Sequence, residues 1–216
     1  MTAAHLLVMA KSPAPGRVKT RLCPPLTEVE AAELAEAALA DTLEAVARCG
    51  ADRRLVALDG PPGPWLPPGF DVYAQRGRGF DERLAAAWED AGGPGLQIGM
   101  DTPQITSDLL DECLAVLTSP GTTAVLGPAN DGGWWGIGLE RPSPDVFLGI
   151  PMSTSETARC QLRRLCELGH NPVMLPALID VDVIADAAAV AELAPDSRFA
   201  EVHRRNMAMA MSEVKT

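Results

Sequence analysis

The sequence predicts an α/β protein, a mostly parallel sheet covered on both faces by helices, and three observations predict it. Short apolar runs such as Leu6-Leu7-Val8-Met9 and Leu55-Val56-Ala57-Leu58 read as buried strands. Between them lie longer segments whose apolar residues recur at helical spacing, and Pro- and Gly-rich loops separate the two kinds of segment. Strands alternating with helices require crossover connections, hence parallel pairing with both sheet faces buried. The 216 residues, 47% of them hydrophobic and 22% charged, suit one globular core better than two, so residues 1–216 are expected to form a single domain.

The elements follow in order. The strand Leu6 to Met9 runs into a loop from Ser12 to Pro25, and a helix starts at Thr27, which forms a T-x-x-E capping box with Glu30. Ala35, Leu39, Leu43 and Val46 mark its apolar face, and Gly50 is its expected stop. Strands are expected at Leu55–Leu58 and Phe70–Ala74, then a helix from about Asp81 to Ala91. A fourth strand, Leu96–Met100, ends at Asp101-Thr102-Pro103, with a helix over Ser107–Leu117 behind it. Thr123–Leu126 and Trp135–Leu139 read as strands joined by the hairpin signal Asn130-Asp131-Gly132-Gly133. A helix over Ser155–Leu168, a short strand at Pro172–Leu175 and two Ala-rich helices near 185–193 and 198–211 complete the chain.

A net charge of −11 argues against a nucleic-acid partner, since no general basic field would hold a polyphosphate backbone. No Asp or Glu precedes Glu28, however, while Lys11, Arg17, Lys19 and Arg21 crowd the first loop. That loop follows the first strand, where sheets of this kind bind ligands, and Gly16 admits close backbone approach, so a small phosphate-bearing ligand is expected there. It is no Walker A loop, because Val18 stands where a Gly should precede the Lys. The five cysteines form no C-x-x-C pair and the three histidines are scattered, which suits free thiols and no zinc site. No apolar run approaches a membrane span, and the protein is expected in the cytoplasm.

Asp101, at a strand end, is placed to hold Mg²⁺ or Mn²⁺, with Asp182 of Asp180-Val181-Asp182 as the second carboxylate. Taken alone, each also reads as a turn or helix cap. Gly132 and Gly133 would admit an acceptor, with Trp134 or Trp135 as a wall, although a tryptophan pair more often packs in a core.

Together these segments resemble the bacterial radical-SAM/selenodomain-associated, arsenosugar-biosynthesis glycosyltransferase-like family of the nucleotide-diphospho-sugar transferase superfamily. The resemblance rests on Ala10-Lys11, Pro15 to Leu22, Gly99 to Pro103, Leu126 to Leu139, Met152-Ser153-Thr154 and Asp180 to Asp182. It implies a GT-A-like (Rossmann-like) three-layer sandwich, with nucleotide phosphates on the first loop and metal near Asp101. A similar Lys-x-Arg-Leu loop and D-x-P strand end occur in guanylyltransferases of deazaflavin-cofactor synthesis. Val183, Asn130 and the Trp134-Trp135 pair depart from the family pattern.

The expected nucleotide site comprises Ala10, Lys11, Gly16, Arg17, Lys19, Arg21, Gln75 and Gly77, with Lys19, Asp101 and Asp131 as catalytic candidates. Three cations in Arg17 to Arg21 suit a triphosphate and its pyrophosphate leaving group, hence nucleotidyl transfer to a small phosphorylated acceptor. The alternatives are a glycosyltransferase using a nucleotide sugar, with Asp131 as base, and a non-catalytic nucleotide-binding module. The retained Asp101 and Asp182 speak against the last.

Overall fold

The computed structural model describes residues 4–213. One seven-stranded sheet carries the fold, made of β1 (His5–Lys11), β2 (Arg53–Asp59), β3 (Asp71–Ala74), β4 (Gly95–Ile98), β5 (Ala124–Pro128), β6 (Trp134–Leu139) and β7 (Pro172–Met174). Its order is β3-β2-β1-β4-β6-β5-β7. Only β6 runs against its neighbours, because a tight turn, not a helix, connects it to β5.

The strands are apolar throughout because both faces are covered. Alternation sends Leu6, Val8 and Ala10 of β1 to one face and Leu7 and Met9 to the other. The first face packs on α1 (Glu28–Arg48) through Leu39, Leu43 and Val46, and on α3 (Ser107–Leu117) through Leu110, Cys113 and Leu117. The second packs on α2 (Phe80–Ala91) through Leu84 and Trp88, and on α4 (Thr157–Glu167) through Leu165. Each fully buried Leu contributes about 1.5–3 kcal/mol, so the two faces form the dominant stabilising surface. Outside α1, a third cluster joins Leu34 and Ala38 to Val190 of α5 (Ile184–Leu193) and Phe199 of α6 (Arg198–Glu213).

The capping box forms as read: Thr27 Oγ1 accepts from the Glu30 amide, and the Glu30 carboxylate accepts from the Thr27 amide. Helix α1 stops at Arg48 with Cys49 in extended conformation, so Gly50 is not the terminating residue. Strand β4 closes at Ile98, three residues before Asp101. Cys49, Cys113 and Cys160 are buried free thiols, whereas Cys166 is exposed. No helix among the described residues is long and apolar enough to cross a membrane.

Candidate active site

A cavity of about 680 Å³ opens at the carboxyl edge of the sheet, beside the β1–β4 junction. Strand order reverses direction there, β1 leading to β2 on one side and neighbouring β4 on the other, which leaves a crevice between the loops that follow them. Ala10, Lys11, Arg21, Gln75, Asp101, Asp131, Gly133, Trp134, Trp135 and Asp182 reach its wall. Gly16, Arg17, Lys19, Gly77 and Gly132 are not on the wall.

Lys19 shows why position in a basic loop does not settle where a cation points. Its backbone is left-handed (φ 50°, ψ 32°), a conformation costing a residue with a Cβ roughly 1–2 kcal/mol. That turn sends the side chain inward, where it is 8% exposed, with Nζ 2.7 Å from Asp101 Oδ1 and donating to the Val181 carbonyl. Val181 N–H in turn donates to the Asp101 carbonyl at 3.0 Å, so loop, strand end and the Asp180-Val181-Asp182 segment are tied together. Lys19 therefore positions Asp101 and does not face the cavity.

A third carboxylate joins the expected Asp101–Asp182 pair at the wall. Arg21 Nη1 holds Asp182 Oδ2 at 2.9 Å, and the buried Asp180 feels the charge of Asp101. Burial first, and then the Asp101 charge, push Asp180 up to about 8; Lys19 pulls it down, while Asp182 and Asp131 raise it further. Two repelling carboxylates at a cavity wall are a donor set that a divalent cation relieves, and Mg²⁺ takes one or two carboxylates plus water and phosphate. Among the described residues no group of three or more His, Cys, Asp or Glu could cage a metal, so further ligands would come from substrate and solvent.

The glycine turn forms the opposite wall. Asp131 Oδ1 accepts from Gly133 N–H at 2.8 Å, and Gly132 adopts φ 90° with its carbonyl receiving the Ala158 amide at 2.9 Å. A Cβ on Gly132 would sit 2.1 Å from the Ser155 carbonyl oxygen, so only glycine lets this turn press on the segment before α4. That segment supplies Met152, Ser153, Thr154 and Ser155 to the wall, with Ser153 at φ 58°. Lys19 and Ser153, the non-glycine residues with positive φ among those described, thus both belong to this site. Trp135 is a core residue, 2% exposed and donating to the Pro176 carbonyl, whereas Trp134 is a half-buried wall.

On the β1–β2 side, the Gln75 amide spends both donors on the Ala10 and Ala57 carbonyls, clamping two strand ends. Lys11 Nζ (3.8 Å), Arg17 (4.0 Å) and Arg83 (3.6 Å) surround the Asp59 carboxylate. Sequence reasoning missed Arg83 as a wall residue. The signal was present: Arg83 lies in the first turn of the helix after the third strand, at the edge where ligands bind.

This architecture has known counterparts. A structure from Desulfovibrio desulfuricans G20, provisionally named a nucleotide-diphospho-sugar transferase, superposes with TM-score 0.85 at 26% identity, over 98% of each chain. CMP:2-keto-3-deoxy-manno-octonic acid synthetase complexed with CTP gives 0.55 at 12% identity, over 89% of this chain and 98% of that one. Rv0371c of Mycobacterium tuberculosis H37Rv in complex with manganese gives 0.53 at 19% identity, over 88% and 100%. The fold is that of the nucleotide-diphospho-sugar transferases and nucleotidyltransferases. No curated protein matches the chain. Residues 28–154 match the family described as an uncharacterized protein conserved in bacteria (DUF2064), and the chain belongs to that family.

Proposed function

We propose that this DUF2064 member is a metal-dependent nucleotidyltransferase that joins a nucleoside triphosphate to a small phosphorylated acceptor. The observation that carries the reading is the convergence, in one cavity at the carboxyl edge of the sheet, of Arg21, Lys11 and Arg83 with the carboxylates Asp101, Asp180 and Asp182. Cations alone would suit any anion, and carboxylates alone a metal. Their combination suits a metal-bound polyphosphate. The whole chain, 1–216, acts as one catalytic unit in the cytoplasm.

Asp101 and Asp180 would hold Mg²⁺ or Mn²⁺, and that ion supplies charge neutralisation at the α-phosphate. Lys19 keeps Asp101 oriented through the ion pair and its contact with the Val181 carbonyl. Arg21 fixes Asp182 and leaves the rest of its fork of donors for phosphate oxygens. The acceptor enters over Asp131, Gly133 and Trp134, opposite the basic residues. Its phosphate oxygen attacks the α-phosphorus as the bond to the bridging oxygen breaks, and pyrophosphate leaves toward the basic side. An acceptor phosphate is already ionised near neutral pH, so the step needs alignment more than a base.

The name of the Desulfovibrio protein favours a second reading, glycosyl transfer from a nucleotide sugar, with Asp131 as the base at an acceptor hydroxyl. Products separate the two. Incubation with each NTP and a panel of phosphorylated acceptors should release pyrophosphate. Release of UDP or GDP from a nucleotide sugar, with no pyrophosphate from any NTP, would establish the second reading instead.

A further inference from the structure

Asp180 lies in the stretch between β7 and α5, outside any helix or strand, so its direction is set by what ties that stretch down. On one side, Leu178 N–H donates to the Pro128 carbonyl, and the Leu178 carbonyl accepts from Asn130 N–H. On the other, Val181 N–H donates to the Asp101 carbonyl, and the Val181 carbonyl accepts from Lys19. The peptide between Ile179 and Asp180 is held from elsewhere. Gln104 Nε2 donates to the Ile179 carbonyl at 2.7 Å, across 75 positions of sequence. That carbonyl shares its plane with the Asp180 amide, so holding it fixes how the backbone enters Asp180. Gln104 is itself rigidly placed relative to Asp101. The Ile105 amide donates to the Thr102 carbonyl at 3.1 Å, closing a turn with Pro103 and Gln104 at its centre. Proline presets the backbone at that position, and α3 starts directly behind, capped by Thr106. Gln104 does not reach the cavity wall, whereas Thr102 does. Its Oε1 is buried with no hydrogen-bond partner, which is costly. A Met would fill similar space without that cost, so what the amide adds is its hold on Ile179.

We infer that Gln104 is a positioning residue for the metal: it sets the separation of the Asp101 and Asp180 carboxylates and thereby selects Mg²⁺ over the larger Ca²⁺. The inference rests on the metal-dependent reading above and deepens it. Mg²⁺ demands near-ideal octahedral geometry at about 2.0–2.1 Å, whereas Ca²⁺ accepts irregular oxygen shells at about 2.3–2.6 Å. Two like charges drift apart unless the backbone on both sides is held. A pair free to spread suits the larger, less exacting ion. Lys19 opposes the spread through charge at Asp101, and Gln104 opposes it through the backbone at Asp180. The two restraints act on different carboxylates, so neither replaces the other.

The test uses Mn²⁺ alone as the probe, followed by loss of the free ion's spin-resonance signal, with Mg²⁺ and Ca²⁺ as competitors. Wild type is compared with Gln104→Met, which keeps the bulk and removes the donor. The substitution should weaken Mg²⁺ about tenfold to a hundredfold and Ca²⁺ less than about threefold, so the preference for Mg²⁺ collapses. A merely structural role would weaken both ions alike. Should Gln104→Met fail to fold, Gln104→Asn, whose amide stops one methylene short of Ile179, repeats the comparison with the same expected sign. Equal losses for the two ions, or no loss, in a folded variant would overturn the positioning role while leaving the metal site standing. A folded wild type that takes up no Mn²⁺ would overturn the metal-dependent reading and this inference with it.

Discussion

Replacing Lys19 with Met tests whether this residue is a structural counter-ion for Asp101 and not a phosphate ligand. Met keeps the length and removes the charge. At 2.7 Å, with an effective dielectric near 20, the Lys19–Asp101 attraction is about 6 kcal/mol in gross terms. Desolvation of the ammonium cancels much of it, and losing one partner of a buried pair typically costs 3–5 kcal/mol. Because the Asp101 side chain is 34% exposed, water recovers part of that loss, leaving about 2–3 kcal/mol. The Val181 carbonyl also loses its donor, which adds to the cost. Urea denaturation of wild type, Lys19→Met, Asp101→Asn and the double variant, without divalent metal, would measure the coupling. The account predicts a coupling of about 2 kcal/mol and a larger rescue of Lys19→Met than of wild type by added Mg²⁺. Coupling near zero, with Lys19→Met as stable as wild type, would refute the reasoning.

Two further predictions concern Gly132, which the sequence marks, and His5, which it does not. Gly132→Ala must leave φ 90° or displace the Ser155 backbone, so it should cost at least about 2 kcal/mol and raise the acceptor KM more than it weakens nucleotide binding; thermal denaturation and kinetics check both. His5 is buried against the Trp88 ring, and burial first, then Arg53, lower it to about 4. The unfolded chain takes up this proton near pH 6.5 and the folded one only near 4, so the stability contribution is complete above 6.5 and lost as pH falls through that window, by up to about 3 kcal/mol. Urea midpoints of His5→Gln should fall less steeply than wild type between pH 6.5 and 4; parallel curves would contradict the assignment.

The strands and helices were legible because apolar periodicity is a local signal, and each strand buried on both faces reads as an unbroken apolar run. The hairpin at Asn130 to Gly133 was legible for the same reason, its residue types being demanded by the turn. Side-chain direction was not. The basic loop divides into Lys11 and Arg21 on the cavity, Arg17 outside it and Lys19 turned inward, and what divides it is the left-handed turn at Lys19. The Asp180-Val181-Asp182 alternation did bring both carboxylates to the cavity. That Arg21 claims Asp182 rests on a contact between residues 161 positions apart, which no local pattern encodes. The hairpin signal implied the antiparallel pairing of β6 with β5, whereas nothing local told that β6 would also lie beside β4.

The claim that this edge of the sheet binds a metal-bound nucleotide is tested most directly by locating the ion. Crystals grown with Mn²⁺ and a non-hydrolysable nucleoside triphosphate analogue, measured at the manganese absorption edge, should show one anomalous peak. The account predicts that peak at about 2.0–2.3 Å from carboxylate oxygens of both Asp101 and Asp180, with phosphate oxygens completing the shell and Lys19 still paired to Asp101. A bound nucleotide whose manganese lies beyond coordination distance of both carboxylates would contradict it.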